Sequence, residues 1–140
     1  MDSWRQVFRI GIAPSLPRTQ LETLRKGLLE DDPRLIQGAT TTPSPLACVA
    51  FWKADGACAL GYGFAFEDAP DQGNSDKTVA EVEYVFSHIC QVTDELLHEP
   101  GGIGYFIGFF DNTPRDKMRK LLLEEVDLAL GICHAEKDSL

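Results

Sequence analysis

A chain of 140 residues that is 44% hydrophobic and 25% charged can bury a core, and a single domain over 1–140 is expected. The formal net charge of −9 sets the chain against nucleic-acid backbones and anionic membranes as partners, and favours a basic macromolecule. The opening MDSWRQVFRI lacks the basic-then-apolar pattern of a signal peptide, and no apolar run is long enough to span a bilayer, so a cytoplasmic protein is expected.

Residues 4–12 alternate. Trp4, Gln6, Phe8, Ile10 and Ile12 fall on one face and Arg5, Val7 and Arg9 on the other, which predicts a half-exposed strand. A helix is predicted next, with Thr19 and Glu22 as a capping box, Leu21, Leu24 and Leu28 as its buried stripe, and Pro33 beyond its end. The stretch GATTTPSPL, residues 38–46, stands apart from the rest of the chain. Beyond it, Asp55-Gly56 is a strong hairpin signal, because a type I′ turn needs positive φ at its centre.

Folding the chain at Asp55-Gly56 would pair Trp52 with Ala59, Ala50 with Gly61 and Cys48 with Gly63. One sheet face would then be bulky and the other mostly Ala, Gly and Cys. A competing reading makes 45–53 a short helix. The acidic segment 67–77 is predicted as a loop. Thr78 and Glu81 form a second capping box, opening a helix to about residue 99 that is stopped by Pro100-Gly101-Gly102. IGYFIGFF reads as a buried strand, and Thr113 with Pro114 as the start of a last helix. The order βαββαβα predicts an α+β fold, a ferredoxin-like (βαββαβ) antiparallel sheet with an added C-terminal helix.

Three regions carry candidate binding residues, each with a plainer structural reading beside it. Thr40, Thr41 and Thr42 offer hydroxyls and N–H groups to an anion, with Arg34 just upstream. Pro43 and Pro45, however, suit a stiff extended connector. Cys48, Gly61 and Gly63, with Trp52, would lie on the shallow sheet face. Strand glycines there imply close approach by a helix, a second subunit or a flat ligand. Arg115 and Arg119 belong to a basic run in the first turns of the last helix, against the helix dipole. They predict either a solvated face or a patch for an acidic group.

Metal and nucleophile chemistry find little support. The four cysteines are widely spaced, and His88, Cys90, Cys133 and His134 make no zinc-spaced set. No metal and no cofactor are expected. The reading that follows is a non-catalytic interaction domain of regulatory, adaptor or immunity type. It would bind another protein, with a homodimer as one form of that. A small-molecule-binding protein or enzyme, with its site between the 38–46 loop, Trp52 and the Gly/Ala-rich face, is the alternative.

Overall fold

The computed structural model describes residues 3–43, 51–67 and 76–132. Among these the chain is helical, with one two-stranded antiparallel ladder. The ferredoxin-like α+β sheet expected from the sequence is not formed. Helix α1 (Ser3–Val7) runs through a π-helical turn (Phe8–Ile12) and a 3-10 turn (Ala13–Ser15) towards α2 (Arg18–Glu30). The short strands β1 (Thr41–Thr42) and β2 (Gly56–Ala57) follow. Then come α3 (Ala59–Phe66), α4 (Val79–Leu97), α5 (Ile103–Asn112) and α6 (Arg115–Leu130).

Each misplaced strand has a physical reason. In the first segment the buried residues are Trp4, Val7, Phe8, Gly11 and Ile12. That is the i, i+3, i+4, i+7, i+8 stripe of a helix, hidden in the sequence because Phe8 and Ile12 also satisfy alternation. IGYFIGFF forms α5 for the same reason: Ile103, Phe106 and Phe110 are buried, one helical face, while Gly104 is exposed.

The predicted hairpin fails differently. Gly56 pairs with Thr42 and Ala57 with Thr41, so the partner of β2 is the threonine stretch. Among the described glycines positive φ occurs at Gly38, Gly101 and Gly131, and Asp55-Gly56 makes no I′ turn. The residues expected in the second hairpin strand form α3, a helix buried on nearly every side. Cys48 and the rest of 44–50 lie outside the described residues, as does most of the alternative helix over 45–53.

Capping follows the sequence in part. Thr78 accepts from the Glu81 N–H at 3.2 Å and Glu81 accepts from the Thr78 N–H at 3.0 Å, completing the predicted box. The first predicted box does not form, because Pro17 takes the N-cap of α2 and Thr19 lies inside it. Helix α6 starts one position later than predicted, with Pro114 as its N-cap.

Helix α3 packs between α2 and α4, α2 also packs on α6, and α1 lies on α5. Small residues make the contacts around α3 possible. A Cβ at Gly63 would lie 2.5 Å from the Gln20 carbonyl oxygen, and one at Gly61 would lie 2.9 Å from Val82 Cγ1. At the other end of the core Trp4 stacks on Phe109 with ring centroids 3.7 Å apart, and Phe106 packs against Trp4, Phe8, Phe109 and Phe110.

Two buried carboxylates of α6 fasten the N-terminal helices. Glu125 accepts from Arg5 Nη1 at 2.7 Å and Arg9 Nε at 2.6 Å, and Asp127 accepts from Arg25 Nε at 2.5 Å. The Arg9 hydrogen bond, aided by Arg5 and opposed by burial, holds the Glu125 carboxyl below its ordinary range. A folded-state value below the unfolded one means stability that is complete above the ordinary glutamate value of about 4.3 and is lost as pH falls through the lowered value. Urea midpoints measured across the acid range should therefore fall less steeply for Glu125→Gln than for the parent. Equal slopes would show that this carboxylate does not contribute to acid sensitivity.

Candidate functional site

The chain leaves α2 through Asp31, whose φ of 52° is left-handed, and turns sharply at Asp32-Pro33-Arg34. Asp32 Oδ1 accepts from the Arg34 backbone N–H at 2.9 Å, a local turn bond that aspartate favours. The Arg34 guanidinium then folds back on the same carboxylate, with Nη2–Oδ2 at 2.7 Å and Nε–Oδ2 at 3.0 Å. Its Cζ sits 4.4 Å over the Phe66 ring, and the Tyr62 hydroxyl donates to Asp32 Oδ2. Tyr62 and Phe66 reach this point together because they stand i,i+4 on α3.

This cluster forms the inner wall of an open cleft of about 580 Å³, within the range of about 300–1,000 Å³ usual for ligand pockets. Helix α2 supplies its outer side through Thr19, Glu22, Thr23, Lys26 and Glu30, and Glu67 closes one end. Thr19 Oγ1 lies 3.4 Å from Glu67 Oε2, a link across that end. Asp32 and Arg34 neutralise one another. The remaining charges on the lining are Glu22, Glu30 and Glu67 against Lys26.

The protonation states suit holding rather than proton transfer. Burial pushes the Asp32 carboxyl up, but the hydrogen bonds from Arg34 and Tyr62 outweigh it and keep it below its ordinary range. Burial, then the bond to Asp32, raises the Tyr62 phenol well above its ordinary value. A general acid or base works best with a pKa near the working pH. Asp32 is a fixed anion and Tyr62 a fixed donor, so this pair is a rigid recognition wall.

The other sequence-predicted residues are dispersed. Arg34 alone joins this cleft. Thr40 lines a second, smaller pocket, where its hydroxyl donates to Glu83. Thr41 is buried in β1 and Thr42 accepts from the Asp55 N–H through its carbonyl. Gly61 and Gly63 are the contact points of α3 with α4 and α2, on a helix and not on the expected sheet face. Trp52 is exposed, and its carbonyl accepts from the Val79 N–H at 2.9 Å.

Arg115 and Arg119 have a structural task. Arg115 donates to the Leu35 carbonyl at 2.8 Å and the Asp32 carbonyl at 2.9 Å, and Arg119 to the Leu28 carbonyl at 2.8 Å. They satisfy carbonyls at and beyond the end of α2 that its own ladder leaves open. Asp32, Tyr62 and Phe66 were not singled out from the sequence. The i,i+4 spacing of the two aromatics is the signal that a helical reading of ALGYGFAF would have exposed.

Among the described residues, no group of three or more His, Cys, Asp and Glu is placed to hold a metal ion, and no helix is long and apolar enough to cross a membrane. Comparison with protein-family models, with curated proteins and with solved structures gave no match.

Proposed function

We propose that the protein is a non-catalytic recognition domain whose acidic cleft takes a basic segment of another protein. The observation that carries this reading is the cleft between α2 and α3. Its wall is pre-set by the Asp32–Arg34–Tyr62 cluster on Phe66, and its rim bears Glu22, Glu30 and Glu67. A wall fixed before binding lowers the ordering cost of association. The rim carboxylates outnumber Lys26 and complement a cationic side chain. The chain's charge of −9 steers such a partner from a distance.

Three nonapeptides, alike except for a central trio of arginine, glutamate or serine, test this by NMR titration of the labelled protein. The arginine peptide should shift the amides of Thr19, Thr23 and Glu67, weaken as salt rises, and lose about tenfold in affinity to the Glu22→Gln/Glu67→Gln variant. Equal shifts with the glutamate peptide, or none with any peptide, would sink the proposal.

A further inference from the structure

A second pocket lies under the threonine stretch and shares no lining residue with the acidic cleft. Its volume is about 160 Å³, close to the roughly 150 Å³ that holds a single benzene ring in an apolar cavity. The loop 37–40 forms one side, held to the C-terminal end of α5. Gln37 Nε2 donates to the carbonyls of Phe110 at 2.7 Å and Thr113 at 2.8 Å. The Gly38 N–H donates to Asp111 Oδ1 at 2.9 Å, and Gly38 takes a φ of 86° that lets the chain turn there.

The lining is aromatic inside and acidic at its polar end. Phe86, Phe106 and Phe110 supply the apolar surface, with Cys58 and Thr40 beside them and Asp111 among the lining groups. Thr40 in turn holds Glu83, a second carboxylate. Among the described lining residues none carries a positive charge. Cys58 does not supply a nucleophile. Burial pushes its thiol up to about 12, and the Asp111 carboxylate is close enough to add to the rise. A neutral thiol is a polarizable apolar contact.

We infer that this pocket binds a small organic cation of about one ring, such as a primary aryl- or alkylamine, with its ring among Phe86, Phe106 and Phe110 and its ammonium at Asp111. Asp111 uses Oδ1 for the Gly38 N–H, and its remaining lone pairs are suited to a charge-assisted bond. The aromatic rings favour a cation over an anion, and Glu83 adds to that preference. A neutral ring gains the apolar contact without the charge.

The test uses benzylamine, benzyl alcohol and benzoate against the whole chain, followed by amide NMR and calorimetry. Benzylamine should bind, shifting the amides of Thr40, Cys58 and Asp111, about tenfold more tightly than benzyl alcohol, with no binding of benzoate. Asp111→Asn keeps an acceptor for Gly38 and removes the charge, so it should bring benzylamine down to the level of the alcohol. Ala39→Phe, an exposed rim position, should block all binding with the fold intact. Benzoate bound as well as benzylamine, equal affinity for amine and alcohol, or no probe perturbing these amides would each overturn the assignment. The comparison among the three probes is made on the parent, so it stands even if a variant fails to fold.

Discussion

Truncating Phe106 to alanine is expected to cost about 3–5 kcal/mol. The side chain is 1% exposed and meets four other aromatic rings, at centroid distances of 5.9 Å to Phe8, 6.1 Å to Phe110 and 6.4 Å to Trp4 and Phe109. Those neighbours come from α1, the π-helical turn and α5, and Trp4 is itself pinned against Phe109, so the hole left behind cannot readily close. Against a total of about 5–15 kcal/mol for a domain, the loss would leave a marginal protein. Chemical denaturation of Phe106→Ala and Phe106→Leu should rank them parent, leucine, alanine. A midpoint for the alanine variant close to that of the parent would show that the four rings do not form one packed unit.

Gly63→Ala should destabilise although alanine is the better helix former. Propensity favours the change by about 1 kcal/mol. Against it, the added methyl would lie 2.5 Å from the Gln20 carbonyl oxygen and 2.9 Å from its Cα. These are backbone atoms, so relief requires α2 to move as a body, and overpacking costs of about 1–3 kcal/mol apply, at the upper end here. Sterics win. Gly108→Ala should do the reverse, because among the described residues nothing stands within 4 Å of its Cβ position. Thermal melts of the pair should therefore move in opposite directions. A stabilised Gly63→Ala would mean that α2 and α3 are further apart than described.

The same glycines show how much of the architecture was legible. Close approach at Gly61 and Gly63 was readable from the run of small residues, but the sheet face it was assigned to is not formed: both glycines stand on helix α3, and the approaching elements are α4 and α2. What could not be read was the period. ALGYGFAF has apolar or small residues at every position, so neither alternation nor a helical stripe can be distinguished within it. IGYFIGFF carries both patterns at once. Helix α4 was predicted close to its observed span and α6 within one position of its observed start, because charged residues on the solvent side and a capping signal mark both. Of the cleft, only Arg34 was singled out, and as a companion of the threonine stretch, from which the structure separates it. Its partner Tyr62 comes from a distant segment placed by a helix that the sequence disguised as a strand.

The arginines that close α2 also set an order of events. Arg115 and Arg119 reach back across 80 and 91 residues to the carbonyls of Leu35 and Leu28, and Glu125 and Asp127 reach back further still. At ribosomal rates of about 5–20 residues per second, α2 emerges seconds before the side chains that finish its end and neutralise Arg25. During that interval its apolar stripe of Leu21, Leu24 and Leu28 has α3 for company but no α6. Contacts of such long sequence separation also slow the search once the chain is free. The contacts of α6 are therefore the ones for which α2 waits longest on the ribosome.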